Sequence, residues 1–250
     1  MWSNPLRFSQ FNSVRAPKAY SESEEAGARA RRATLPQLPP RVVEAGCKEC
    51  LEVAQKGRKQ RKIVICVAGM SGSGKSTVAR MLAEKYGLKY LSGGDALKAL
   101  AIEAGYKPTE RGWWVTEEGL NFHRKRVEDL QFDQKVDKKL IEWAEQGNVV
   151  IDSWTMPWLL KKGFKIWLEA SLEGRAKRLM KRNNISFKKA LNVLKEKDGI
   201  SKIIYERSYG FSLGEDFSPF NLVVDTNELS ADETFRALCL VIERLYFKKT

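Results

Sequence analysis

Five short apolar runs recur along the chain, separated by longer segments with helical spacing. The runs cover residues 62–68, 87–92, 148–152, 164–170 and 221–225 and are rich in valine, isoleucine and leucine. Apolar runs of this length, bounded by turn residues, are typical of buried strands. Since strands that alternate with helices form parallel sheets covered on both faces, we expect a three-layer α/β fold with five parallel strands.

The segments between these runs predict the helices. Apolar residues at helical spacing indicate helices over 77–86, 96–104, 120–146 and 230–246. The last of these begins with Ser230 as a cap and Glu233 three residues later, which is a capping box. The paired Trp113 and Trp114 favour a place in a core between helices over stacking on a base. His123, the only histidine, has no partner ligands at metal spacing, so we expect an exposed helix residue without a role.

The clearest chemical signal lies where the first apolar run meets the first helix. The pattern GxxxxGK[ST] needs a strand before it and a helix after it, and both are predicted here. Its glycines let backbone N–H groups turn inward around phosphate oxygens, Lys75 supplies a cation for the β- and γ-phosphates, and the Ser76 hydroxyl can ligate Mg²⁺. We therefore predict a phosphate-binding loop for ATP and Mg²⁺, formed by Gly69, Met70, Ser71, Gly72, Ser73, Gly74, Lys75, Ser76 and Thr77.

Two acids follow later strands of the predicted sheet. Asp152 ends the third apolar run, as in a Walker B strand, and is predicted to orient Mg²⁺. Asp95 follows a Gly-Gly turn after the second run, at the sheet edge where open parallel sheets place ligands. It is a candidate catalytic residue at the acceptor site, although the same carboxylate would suit the cap of the next helix.

A basic helix precedes the last strand. Arg175, Arg178 and Arg182 recur at spacings of three and four, so they share one helix face. A solvated basic stripe is one interpretation of this pattern. We favour a catalytic role for Arg178 and Arg182, and less so for Arg175, because guanidinium groups can stabilise the charge on a transferring phosphoryl group.

The charge distribution indicates a basic extension at the N-terminus. Of the formal net charge of +13, residues 1–62 contribute +7, from 13 Lys/Arg minus 6 Asp/Glu. We expect residues 1–61 to be mostly disordered and to be a candidate RNA-binding segment. Their lack of early acids suits a transit peptide, but a plain tail is favoured. Cys47 and Cys50 form a lone CxxC, which we interpret as two free thiols in a reducing, cytoplasmic setting. No apolar run is long enough for a membrane span.

From Lys62 to about Phe247 the chain resembles the archaeal-type cytidylate kinases, which belong to the nucleoside monophosphate kinase family of P-loop kinases. The shared stretches are residues 69–89, 92–95, 145–152, 165–179, 209–210 and 221–226. The resemblance implies phosphoryl transfer from ATP to CMP or dCMP with Mg²⁺. It further implies a P-loop kinase domain over 62–250, with acceptor-binding helices at about 93–147 and a lid at about 183–208. We expect this enzyme to be a monomer.

The chain departs from that family at positions that normally grip the acceptor's phosphate. In the resemblance, four residues stand where the family has arginines: Lys98, Trp154, Lys202 and Ile204. Arginine presents a planar fork to phosphate, whereas lysine is a mobile point charge and the other two carry none. Two other functions therefore stay open: a kinase for a hydroxyl acceptor such as a nucleoside, a small metabolite or RNA, with Asp95 or Asp152 as general base, and an RNA-associated nucleotide-binding switch or assembly factor.

Overall fold

The computed structural model describes residues 62–109 and 112–247. The expectations for residues 1–61, namely disorder, a transit-peptide character, RNA binding and the Cys47–Cys50 thiols, lie outside the described residues.

Five parallel strands form the middle layer, in the order β2-β3-β1-β4-β5. Each strand lies within one predicted run: β1 (Val64–Ala68), β2 (Lys89–Ser92), β3 (Val149–Asp152), β4 (Phe164–Glu169) and β5 (Leu222–Asp225). The central strand β1 is fully buried from Ile65 onward because helices cover both faces. The predicted five-stranded parallel sheet is confirmed, and its carboxyl edge brings the ends of β1, β2 and β3 together.

Helices form the outer layers. They are α1 (Lys75–Tyr86), α2 (Gly93–Glu103), α3 (Glu117–Glu128), α4 (Gln131–Gln146), α5 (Met156–Leu159), α6 (Leu172–Asn183), α7 (Phe187–Tyr209) and α8 (Ala231–Ile242), with a 3-10 turn at Trp113–Val115 and a π turn at Glu243–Phe247. On one face, Leu82 of α1 and Leu238 of α8 pack in a cluster with Ile65. On the other face, Leu140 of α4 packs with Cys66. The three-layer arrangement is therefore confirmed.

Serine and threonine side chains cap five of the described helices: α2, α3, α6, α7 and α8. The predicted capping box of α8 is confirmed, since the Ser230 hydroxyl accepts from the Glu233 N–H and the Glu233 carboxylate accepts from the Ser230 N–H. The expectation that Asp95 caps α2 is wrong. Ser92 takes that position, and its hydroxyl accepts from the Asp95 N–H at 3.1 Å.

The predicted long helix over 120–146 is two helices, α3 and α4. Asp129 ends α3 with extended dihedral angles, φ −127° and ψ 93°. The break lets Arg126 turn back onto α4, where its Nε donates to the Asp133 carboxylate at 2.9 Å. Both side chains are buried. The Arg126–Asp133 ion pair forms only when α3 and α4 pack against each other. Helical periodicity, which is a local pattern, therefore predicted one continuous helix.

His123 was expected to be exposed, and this is wrong, because only 2% of its surface is exposed. The Arg126 guanidinium lies 2.6 Å from its Nδ1 and can only donate, so Nδ1 accepts and Nε2 carries the proton. Nε2 lies 3.2 Å from the backbone oxygen of Lys197 and accordingly donates to it. Burial, and then repulsion from Arg126, hold the pKa of His123 well below its ordinary value.

The paired tryptophans behave as predicted. Trp113 is fully buried and belongs to a core cluster with Ala101 and Phe122. Its indole N–H donates to the Glu118 carboxylate at 2.8 Å, so burial leaves no unsatisfied donor. Trp114 is only partly buried, and one of its neighbours is Lys197.

No helix in the described part of the chain is both long enough and apolar enough to cross a membrane.

We predict that Arg126→Met lowers the free energy of unfolding by about 3–5 kcal/mol, because Asp133 is left buried without its partner. Urea denaturation measures this change. Arg124→Met is the matched control: its ion pairs with Glu117 and Glu196 are solvent-exposed, so we expect a loss of under ~1 kcal/mol. The double variant Arg126→Met/Asp133→Leu should recover most of the stability. Equal losses at Arg124 and Arg126 would contradict the assignment.

Candidate active site

The predicted phosphate-binding loop runs from the carboxyl end of β1 into the N-terminus of α1. Gly72 and Gly74 have φ values of 87° and 99°, a region that only glycine enters readily. A Cβ at Gly72 would also lie 3.0 Å from the backbone oxygen of Arg175. No side chain caps α1 and its first turn holds no acid, so the first N–H groups of α1 are available to an anion. The loop therefore fits the phosphates of ATP.

Two arginines of α6 donate hydrogen bonds to backbone carbonyl oxygens of the loop. Arg175 donates from Nη1 to the Ser71 carbonyl oxygen at 3.2 Å, and its other contact from that nitrogen is the Asp198 carboxylate at 2.8 Å. Arg178 donates to the Ser73 carbonyl oxygen at 3.2 Å and to the Thr226 hydroxyl at 3.0 Å. Both arginines thus tie the loop to neighbouring elements. Arg178, for which a catalytic role is predicted, uses Nη1 and Nη2 for oxygens of Ser73 and Thr226. It also lines the cavity described below, and its catalytic role stays a prediction.

Lys75 opens α1 and stands beside Trp154. Its ammonium lies 5.4 Å from the centre of the indole ring, a cation–π arrangement. Burial lowers the pKa of Lys75, and the nearby Asp152 carboxylate opposes that change. Lys75 also lines the cavity beside the loop, and its phosphate-binding role stays a prediction.

Asp152 and Ser76 offer oxygen ligands for Mg²⁺. Asp152 ends β3, is 5% exposed, and accepts a hydrogen bond from the Tyr90 hydroxyl at 3.0 Å. Ser76 follows Lys75 in the first turn of α1. Mg²⁺ is commonly held by one or two protein oxygens together with substrate phosphates and water. Among the described residues, no cluster of three or more His, Cys, Asp or Glu side chains could hold a metal ion.

A cavity of about 310 Å³ opens from the loop toward the start of α8. It is lined by residues 72–78 and by Arg178, Leu179, Arg182, Thr226, Leu229, Ser230, Ala231 and Thr234. Arg182 therefore lies at the cavity, with a largely exposed side chain. At the α8 end the cavity is lined by small or apolar residues such as Leu229 and Ala231, which suit the flat ring of a nucleotide base. At the loop end it is lined by backbone N–H groups and by Lys75, which suit phosphates.

Asp95 lies outside this cavity. Its side chain is exposed in the first turn of α2, which starts from the end of β2 at the same carboxyl edge of the sheet. Its catalytic role stays a prediction.

The sequence profile of the cytidylate kinase-like family matches residues 64–228. The chain belongs to this family. It is 32% identical to a cytidylate kinase of Methanocaldococcus jannaschii over 73% of this chain and 99% of that protein. It is 34% identical to one of Sulfurisphaera tokodaii over 68% of this chain and 90% of that protein.

One solved structure similar to this chain is a shikimate kinase of Bacteroides thetaiotaomicron. It aligns with a TM-score of 0.46 and 15% identity over 72% of this chain and 98% of that one. A likeness at this level carries no argument about function.

Where this member of the cytidylate kinase-like family departs from the expected arginines, the structure places two apolar side chains. Ile204 is fully buried in a cluster with Tyr205 and Phe211. Trp154 contacts Tyr205 edge to face, with ring centres 6.0 Å apart, and its buried indole N–H has no hydrogen-bond partner. Lys202 pairs with the exposed Glu215 on the surface at 2.6 Å, so it does not replace the missing cations.

Three functional neighbours escaped the sequence prediction: Asp137, Lys197 and Asp198. Each lies among charged residues of a helix, so composition alone predicts a solvated face. Asp198 instead holds Arg175. Asp137 accepts from the Thr155 and Tyr209 hydroxyls, both at 2.6 Å, which joins α4, the segment after β3 and α7. No pattern in the sequence could have distinguished them.

Burial raises the pKa of Asp137 to about 6 from 3.8, although both hydroxyl donors oppose this. The folded protein therefore binds this proton more tightly than the unfolded chain. We predict a pH-dependent difference between the free energies of unfolding of wild type and of Asp137→Asn. This difference should fall by about 2–3 kcal/mol as the pH rises from 4 to 6.5, because wild type loses the stability that the bound proton provides. Urea denaturation across this pH range measures it.

Asp129→Asn, which changes an exposed aspartate, is the control for Asp137→Asn. The difference in free energy of unfolding between wild type and Asp129→Asn should change far less over the same pH range. A flat difference for Asp137→Asn would overturn the predicted shift.

Proposed function

We propose that this protein is a cytidylate kinase, which transfers the γ-phosphoryl group of ATP to CMP or dCMP and releases ADP and CDP or dCDP. Support comes from the phosphate-binding loop with Lys75 at its end, in a chain that covers 99% of a cytidylate kinase of M. jannaschii. ATP occupies the loop and the adjoining cavity in this proposal.

The protein contributes mainly positioning and charge. Arg175 and Arg178 hold the loop carbonyl oxygens, so that its N–H groups keep pointing at the donor phosphates. An oxygen of the acceptor's phosphate forms a bond to the γ-phosphorus while the bond to the β,γ-bridging oxygen breaks. Lys75 and Arg182 stabilise the negative charge on the transferring group. Mg²⁺, which Ser76 and Asp152 would hold, neutralises phosphate charge when bound.

A phosphate acceptor does not need a strong base, because its oxygen is already ionised at neutral pH. A hydroxyl acceptor does, and Asp95 or Asp152 would then have to accept its proton. The two acceptor classes are thus separated by comparing CMP with cytidine. A monomeric state, a cytoplasmic location and RNA binding by residues 1–61 stay predictions.

We expect CMP and dCMP to stimulate ADP release above basal ATP hydrolysis, with UMP, AMP and cytidine giving less. Lys75→Met should lower kcat about 10²–10³-fold, because it removes a charge aimed at the transferring group. A coupled assay for ADP measures both. Lys85→Met, which changes an exposed lysine of the same helix, is the matched control and should leave kcat unchanged.

Stimulation by cytidine but not by CMP would replace the proposal with a hydroxyl kinase. If no acceptor stimulates turnover while RNA binds with a steep salt dependence, the nucleotide-binding switch gains support.

A further inference from the structure

Lys75, the lysine of the phosphate-binding loop, has an aromatic ring beside it. Its ammonium lies 5.4 Å from the centre of the Trp154 indole ring. Asp152 attracts the ammonium electrostatically, but no carboxylate among the residues that the structure describes forms an ion pair with it. A cation over an indole face is attracted by the quadrupole of the ring. The Trp154 ring is therefore the group that contacts the Lys75 ammonium in this structure.

Trp154 contacts Lys75 from outside the ATP-binding cavity. Lys75 lines that cavity together with Arg178 and Arg182, whereas Trp154 is not one of the lining residues. The ring therefore occupies none of the space that the donor phosphates would fill. Phosphates in the cavity and the Trp154 ring can contact the same ammonium at the same time.

Packing fixes the Trp154 ring relative to the loop. Trp154 packs against a cluster that includes Met70 of the loop and Tyr205 of α7. The Tyr205 ring meets the Trp154 ring edge to face, with centres 6.0 Å apart and planes at 89°, which is a favoured arrangement of aromatic pairs. The Tyr205 hydroxyl in turn accepts from the buried Arg126 at 3.3 Å. A ring held by both the loop and α7 defines one position for the ammonium beside it.

The indole N–H of Trp154 contributes nothing to this arrangement. It is buried and has no hydrogen-bond partner among the described residues, which costs stability. The ring face is thus the part of Trp154 that contacts a functional group. Phenylalanine at this position would keep a ring and remove the unpaired donor, while leucine would remove the ring.

We propose that Trp154 is a positioning residue for Lys75, and that its ring face holds the ammonium where it contacts the transferring phosphoryl group. This inference rests on the proposed cytidylate kinase function, and it gives a role to a residue that stands where the family has an arginine. Negative charge on the transferring group grows during the reaction, so a displaced ammonium raises the barrier. Trp154 acts through Lys75 and needs no contact with the substrate.

Steady-state kinetics with ATP and CMP test this role. We expect Trp154→Leu to lower kcat about tenfold, because the ammonium is no longer held in place. The KM for ATP should change less than about threefold, because the backbone N–H groups of the loop still bind the phosphates. Trp154→Phe should recover most of kcat, because phenylalanine also offers a ring face to a cation.

Trp158→Leu is the matched control, since it removes another tryptophan from the same aromatic cluster. Trp158 is partly buried like Trp154, but its ring stacks on Phe211 with centres 4.0 Å apart, and none of the described lysines lies over it. We expect Trp158→Leu to keep the kcat of wild type even where its urea midpoint falls. Urea midpoints of all three variants measure how far each substitution destabilises the fold.

A spectroscopic measurement observes the contact without turnover. Ring currents shift the signals of protons above an aromatic face upfield, so the ε-methylene protons of Lys75 should resonate upfield of those of lysines that contact no ring. Protein labelled with ¹³C-lysine shows these signals, and the one missing from Lys75→Met belongs to Lys75. The upfield shift should disappear in Trp154→Leu and persist in Trp154→Phe and Trp158→Leu.

Four results would overturn the inference. They are wild-type kcat in Trp154→Leu, equal losses of kcat in Trp154→Leu and Trp158→Leu, no recovery in Trp154→Phe, and a Lys75 signal that is the same in wild type and Trp154→Leu. If Trp154→Leu phosphorylates CMP as fast as wild type, the proposed function stands and this inference fails. If CMP is not an acceptor but basal ATP hydrolysis falls in Trp154→Leu and not in Trp158→Leu, the inference stands and the proposed function fails.

Discussion

A loop that points its N–H groups at a bound phosphate must point carbonyl oxygens away from it, and those oxygens need donors of their own. In this protein Arg175 and Arg178 supply them, at the oxygens of Ser71 and Ser73. Each arginine is anchored in turn, one by Asp198 and the other by Thr226. The donor site therefore depends on side chains more than a hundred residues away along the chain. These hydrogen bonds hold the loop in place, and the catalytic role of Arg178, which also lines the cavity, stays a prediction.

Lys75 of α1 and Lys197 of α7 lie near each other and near Arg182, and the acids around them offset this positive charge only in part. Lys75 and Lys197 each lie over a tryptophan ring, which is a weak substitute for a carboxylate. Mutual repulsion and burial lower the pKa of both lysines. A group of cations held close together in this way creates a positive local potential.

Buried hydrogen bonds join α7 to α3 and α4, two of the helices predicted to bind the acceptor. His123 and Arg126 of α3 contact the Lys197 backbone and Tyr205, while Asp137 of α4 holds Tyr209. These contacts join the predicted acceptor-binding helices to α7, which contains the predicted lid region. Since a buried polar group left without its hydrogen bond is costly, the contacts hold α3, α4 and α7 together.

Local patterns were sufficient for the sheet, most of the helices and the donor site. Strand runs such as 149–152 are apolar throughout, and the loop needs only its own glycines, Lys75 and Ser76, so short-range sequence determines them. The break between α3 and α4 depends on an ion pair formed only when the helices meet, and helical spacing alone predicted one continuous helix. The burial of His123 and the exposure of Lys195 next to the enclosed Lys197 likewise depend on which face of a charged helix meets another element. The sequence by itself was enough to predict the phosphate-binding loop, because its glycines, Lys75 and Ser76 are contiguous. Only the tertiary structure decided which cations lie near Lys75, because Arg182 and Lys197 come from α6 and α7 and are placed by packing.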